Sequence, residues 1–151
     1  MDDIFFEDVV PGNMLEAGPY LVREPELVEF ARMWDPLPIH ADKTFAAKHG
    51  GLTAPGIYLL AIKMRLVHTL PLQKSVIASF GYDELRFHQP ARPGDELMLR
   101  LEWTSKRPSG SKPDRGIVVG RYSLLNKAGD PIMTHLDSVL MRLRIGSQDK
   151  V

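Results

Sequence analysis

Cysteine is absent from all 151 residues, which removes disulfides, thiolate nucleophiles and cysteine-ligated metals from consideration. Net charge is missing as well. Nineteen Lys and Arg offset nineteen Asp and Glu, so nothing draws the chain generally to nucleic acid or to an anionic membrane. The longest apolar run, Ile57 to Ile62, falls far short of the roughly 20 residues that a bilayer span needs. The acidic start, Met1-Asp2-Asp3-Ile4-Phe5-Phe6-Glu7-Asp8, has no basic-then-apolar signal pattern. A soluble, cytoplasmic protein is therefore expected. There is no internal repeat, low-complexity tract or linker, so one domain over 1–151 is the simplest organisation, long enough to bury a core. His49, His68, His88 and His135 lack ligand spacing, and no HExxH run, Gly-x-Ser-x-Gly elbow or Gly-rich phosphate loop occurs. No metal, cofactor, hydrolase triad or nucleotide fold is expected.

What is present is a change of period along the chain. Glu24-Pro25-Glu26 reads as a helix start, with proline tolerated in the first turn and acidic side chains at the positive dipole end. Leu27, Val28, Phe30, Ala31 and Trp34 follow as an apolar stripe at helical spacing. Pro36 and Pro38 disfavour the α conformation at Asp35 and Leu37, so the helix should stop near Trp34 and give way to an extended or turned segment. Lys43 to Lys48 suggests a short helical turn. Gly56 to Val67 is apolar around most of its circumference as far as Lys63, the pattern of a helix enclosed by other structure. After Pro71 the period becomes two. Val76–Phe87, Leu97–Trp103, Ile117–Leu125 and Ile132–Ile145 read as strands. The last of these sets Val139, Met141, Leu143 and Ile145 on one face. Asn126 to Asp130, Pro90 to Asp95 and Ser105 to Gly116 read as connections. The class is α+β, a curved antiparallel sheet around one long buried helix.

The chemistry-bearing residues cluster early. Asp35 and His40 sit in Asp35-Pro36-Leu37-Pro38-Ile39-His40-Ala41-Asp42. A carboxylate and an imidazole facing one water can activate it and deliver a proton. Fully extended, the segment would hold them roughly 16 Å apart, so a catalytic role requires the Pro-Leu-Pro stretch to curve. Otherwise they are a helix-ending Asp and a structural His. Thr53-Ala54-Pro55-Gly56 opens the apolar helix, and Gly56 combines an unpaired N–H at the positive dipole end with close backbone access. Such an amide can hold a developing oxyanion; the bland reading is an ordinary turn glycine. The basic loop from Ser105 to Arg115 either meets a phosphate-bearing ligand or is a solvated hairpin loop, the more economical reading. Arg92 is a similar, weaker candidate.

In these residues the chain resembles the MaoC-like hydratases, the (R)-specific enoyl-CoA hydratase family of the hotdog superfamily. The resemblance runs from about Phe5 to Arg144. It rests on Phe6-Glu7-Asp8-Val9-Val10-Pro11-Gly12, the Asp35-to-His40 segment with Ala41-Asp42, Ala54-Pro55-Gly56, and Phe87-His88-Gln89-Pro90-Ala91-Arg92-Pro93-Gly94-Asp95. It implies a hotdog fold and reversible syn addition of water to a trans-2-enoyl thioester, or the reverse 3-hydroxyacyl-CoA dehydration. Asp35 and His40 would be the catalytic pair and Gly56 the backbone donor to the thioester carbonyl. Tyr58, Leu59, Ile62 and Met64 would either line the acyl pocket or belong to the core, and Arg92, Lys106 and Arg107 are candidates for CoA phosphate contact. No separate cofactor is implied, CoA being part of the substrate. The implied partners are an acyl-CoA or acyl-carrier thioester and further copies of the chain, as a homodimer or higher oligomer. The pattern departs at Leu37, where the family often has Asn, at Pro55, where His is common, and at Met64, where a small polar residue is usual. Two other functions share this frame: an acyl-CoA thioesterase in which Asp35 directs water to the thioester carbonyl, and a catalytically silent acyl-binding partner subunit.

Overall fold

The computed structural model describes residues 2–146. After a 3-10 turn at Phe6–Asp8 the elements run β1 (Met14–Leu21), α1 (Glu24–Trp34), α2 (Pro38–Ala41), α3 (Lys43–Ala47), α4 (Gly56–Val67), β2 (Val76–Phe87), β3 (Glu96–Pro108), β4 (Arg115–Leu125) and β5 (Pro131–Arg142). The strands form one antiparallel sheet in the order β1-β3-β4-β5-β2. One face of α4 lies on that sheet. Tyr58, Leu59, Ile62 and Leu66 join Leu97, Leu99, Leu101, Trp103, Val118 and Tyr122 in the main core. This is the α+β hotdog arrangement expected from the sequence.

The sequence reading needs several corrections. β1 escaped it because Gly18-Pro19 interrupts any alternation; the strand survives at the sheet edge, where a proline is tolerated and the register slips between Ala17 and Tyr20. The Ser105-to-Gly116 connection is shorter than expected, since Lys106, Arg107 and Pro108 still pair with Val118, Ile117 and Gly116. Trp34 is 64 % exposed and leaves the α1 stripe, and Ile145 lies beyond β5 at 98 % exposed. The α4 helix is not enclosed either. Ile57 and Met64 form an exposed apolar flank, whereas Lys63, expected to end the buried stretch, is fully buried.

Lys63 belongs to a polar cluster inside the core. Its Nζ donates to the Tyr82 hydroxyl at 2.9 Å and approaches Met64 Sδ at 3.2 Å. It also lies 4.2 Å from the Tyr82 ring centroid and 5.2 Å from that of Tyr122. His135 sits between the same two rings, at 4.3 and 5.1 Å, with Nδ1 against Leu136 O and Nε2 buried without a partner among the described residues. Asp137 accepts a hydrogen bond from Ser79 Oγ. Burial disfavours every charge here. It pushes Lys63 down to about 8 and His135 down to about 4, and it raises the Asp137 carboxyl.

The sign for His135 follows by linkage. Its folded pKa lies below the ordinary value, so between about pH 4 and pH 6.5 the unfolded chain binds a proton that the folded chain does not. Stability therefore rises with pH through that window. Lys63, Asp137, Tyr82 and Tyr122 surround the ring in parent and variant alike. His135→Phe should make the loss of unfolding free energy on going from about pH 7 to about pH 4 smaller by roughly 2–3 kcal/mol, measured by chemical denaturation. Equal acid sensitivity of the two proteins would contradict the assignment.

Candidate active site

Pro36 excludes the helical conformation at Asp35, which closes α1 at φ −153° and ψ 74°. The Asp35 N–H still donates to Ala31 O at 2.9 Å, so its carboxylate projects from an anchored helix end. Leu37 is extended, and Pro38 then begins the single turn of α2. The His40 and Ala41 N–H groups both donate to Leu37 O, at 2.9 and 3.0 Å. That turn folds the chain back on itself and leaves Asp35 Oδ2 3.6 Å from His40 Nε2. Asp42 ends the turn and caps α3, accepting from Phe45 N at 3.0 Å.

The imidazole is oriented from its other side. His40 Nδ1 lies 2.6 Å from Thr53 O and 3.2 Å from Thr53 Oγ1. A carbonyl oxygen can only accept, so Nδ1 carries the proton of that bond and Nε2 of the neutral ring presents a lone pair toward Asp35. The 3.6 Å gap is too long for a direct hydrogen bond. Both atoms can therefore turn to a shared third atom. Within the site the His40 side chain is mostly buried and that of Asp35 is one-third exposed.

Thr53 also carries the chain to the helix start. Its N–H donates to Ile39 O at 3.1 Å, and that of Ala54 to Ala91 O at 2.8 Å. The lead-in is thus tied to α2 on one side and to the β2–β3 connection on the other. Pro55 precedes α4, whose first residue is Gly56. In that position the Gly56 N–H has no acceptor inside the helix and sits at the positive dipole end. A cavity of about 410 Å³ opens beside it, lined by Thr53, Ala54, Gly56, Leu59, Phe87, His88, Gln89 and Pro90. A Cβ at Gly56 would come within 2.6 Å of the Phe87 ring, so a larger residue there would have to displace that ring. Asp35 and His40 are not in the cavity wall; Thr53 joins them to it. The arrangement combines a base pair that can share a water with an amide that can hold negative charge.

The other candidates are dispersed. Leu59 lines the cavity, and Met64 lies on the exposed flank of α4. Tyr58 and Ile62 are in the core, with the Tyr58 hydroxyl donating to Glu26 Oε1 at 2.7 Å. Arg92 donates to Gly51 O at 2.8 Å and packs under the Gly50-Gly51 turn, whose φ values are 89° and 107°. Lys106 donates to Phe6 O and Glu7 O, and Arg107 is exposed near the end of β3. None of these three basic residues lines the cavity. The role of Thr53 as the partner of His40 was not legible, because the contact joins positions brought together only by α2 and α3. Among the described residues no group of His, Asp and Glu could hold a metal, and no helix is long and apolar enough to cross a membrane.

Comparison with known proteins bears on this geometry. The family description "MaoC like domain" matches residues 8–119. The chain is 33% identical over 106 residues to "Protein MaoC" of Klebsiella aerogenes, covering 68% of this chain but only 31% of that protein's length. A MaoC-like dehydratase from Rhodospirillum rubrum is 36% identical and superposes with a TM-score of 0.86, over 93% of this chain and 98% of the other. The R-hydratase PhaJ1 from Pseudomonas aeruginosa shares the fold, with a TM-score of 0.77 at 24% identity over 94% of this chain and 88% of that one. A family match across most of the chain and a close superposition on a relative that is 36% identical agree: this protein belongs to the MaoC-like dehydratase family.

Proposed function

We propose that the protein is an (R)-specific enoyl-thioester hydratase, acting equally as a 3-hydroxyacyl-thioester dehydratase, with Asp35, His40 and Gly56 as its working groups. The observation that carries this reading is the 3.6 Å separation of Asp35 Oδ2 and His40 Nε2, next to a cavity that begins at the Gly56 amide. A water held between Nε2 and Oδ2 gives a proton to Nε2 as its oxygen attacks the β-carbon. The new C–O bond displaces the C=C π electrons toward the thioester, and the enolate oxygen is held by the Gly56 N–H. The imidazolium then returns its proton to the α-carbon, the carbonyl re-forms, and one water has been added across one face of the double bond. Asp35 aligns that water and offsets the charge on His40. Thr53 O keeps the ring in the tautomer that makes Nε2 the base.

Leu37 and Met64 leave this set intact, since the contacts among Asp35, His40 and Thr53 involve neither of those side chains. A thioesterase would release free thiol and preserve the enoyl chromophore; a silent partner would bind thioester and turn nothing over. The test is therefore loss of enoyl absorbance from a trans-2-enoyl-CoA. His40→Ala and Asp35→Asn should each reduce turnover by about 10²–10⁴-fold while retaining parental thermal unfolding. Full activity in both variants would refute the roles.

The exposed strand β2 also suggests the partner. It is an edge of the sheet, carrying Phe80 at 62 % and Phe87 at 52 % exposed. A long edge with large apolar side chains is a template for strand pairing. A second copy docked there would cover it. Light scattering should give twice the 17.0 kDa chain mass, and Phe80→Lys should lower it to that of one chain. A parent that scatters as a monomer would contradict the dimer.

A further inference from the structure

Phe87 supplies the largest side chain in the wall of the cavity beside Gly56, and the hydration chemistry makes no use of it. It ends β2 opposite Met133, which is fully buried. The next residue pins the main chain to β5. The His88 N–H donates to Ile132 O at 2.8 Å, and His88 Nε2 lies 2.7 Å from Thr134 Oγ1. The Phe87 side chain is itself half exposed. An anchored backbone thus carries an apolar ring to the mouth of the site.

The ring meets Gly56 end-on. A Cβ at that glycine would lie 2.6, 2.9 and 3.0 Å from Cζ, Cε2 and Cε1 of Phe87, so the tip of the phenyl group points at the start of α4. A methyl-sized group has no room between them. At standard bond lengths the ring tip is within about 5 Å of the Gly56 nitrogen. An oxygen held by that N–H would stand about 2.9 Å from the nitrogen, and the two other atoms bonded to its carbonyl carbon lie next to it. A thioester carbonyl seated at Gly56 therefore brings its sulfur and its α-carbon beside the ring. Sulfur is common to every thioester. Only the α-carbon differs from one acyl group to another, so any choice the ring makes is made there.

We infer that Phe87 is a specificity-determining residue that reads the α-carbon, so that the protein takes acyl thioesters carrying only hydrogen there and rejects those with an α-methyl branch. One methyl more or less in an apolar pocket changes discrimination by about 10–200-fold, and here the methyl competes with a ring already in contact with the helix start. The inference rests on the hydratase reading for the placement of the thioester oxygen at the Gly56 N–H.

The test uses pairs of CoA thioesters of equal composition. Butanoyl-CoA and 2-methylpropanoyl-CoA are unreactive, and their dissociation constants are measured by calorimetry. Trans-2-pentenoyl-CoA and (E)-2-methyl-2-butenoyl-CoA give kcat/KM. The parent should bind the straight saturated member at least tenfold more tightly than the branched one. Phe87→Ala should bring that ratio to within about threefold, with Phe87→Leu between. An α-methyl group lowers the reactivity of any enoyl thioester, so in turnover the quantity read is the change in the straight-to-branched ratio between parent and variant, which should fall in the same order. Phe87→Leu keeps an apolar side chain at the strand end and carries the test where the Ala variant does not fold. Equal or tighter binding of the branched member by the parent would overturn the inference, as would no binding of either member. A preference that survives unchanged in the folded variants would overturn the assignment to Phe87. Because binding is read without turnover, a protein that shows the preference, loses it on substitution and hydrates nothing would refute the hydratase reading alone.

Discussion

The hydrogen bond between His40 Nδ1 and the Thr53 carbonyl, at 2.6 Å, is the contact on which the site depends. It decides the ring tautomer and aims Nε2 at Asp35. It also joins α2, which carries the imidazole, to the lead-in of α4, which begins at Gly56. Backbone bonds from Thr53 to Ile39 and from Ala54 to Ala91 brace the same junction. Carboxylate, imidazole and amide are thus held by main-chain geometry at both ends of one short path. Few side-chain contacts are needed to keep them in place, which is the condition for a preorganised site.

Two prolines make that geometry possible. Pro36 stops α1 at Asp35, and Pro38 starts the turn that brings His40 back toward it. The spacing of Asp35 and His40 has a physical meaning only through this turn. In an extended chain the same residues would be unrelated. Pro55 plays the corresponding part at α4, leaving Gly56 as the first helical residue, whose N–H has no acceptor within the helix.

The legible part of the sequence was the part governed by local rules. Helix limits at Glu24 and Trp34, the start of α4 at Gly56 and the limits of β2 follow from proline placement and the change in period. So does the late run of strands. Contacts that depend on tertiary meeting were hidden: Thr53 against His40, Phe87 against Gly56, and Arg92 spent on the Gly51 carbonyl. Lys63 shows why. A lysine in an apolar helix reads as the point where the helix meets water, yet Tyr82 and Tyr122 on distant strands supply the ring faces and hydroxyl that let it remain inside.

The central claim is that one water is split across a single face of an enoyl double bond beside Gly56. Incubation with a trans-2-enoyl-CoA in deuterated water, followed by stereochemical analysis of the product by nuclear magnetic resonance, addresses it most directly. The account predicts an (R)-3-hydroxyacyl thioester with one deuterium on the α-carbon, added to the same face as the hydroxyl. Addition to opposite faces, or free CoA released with the double bond intact, would contradict it.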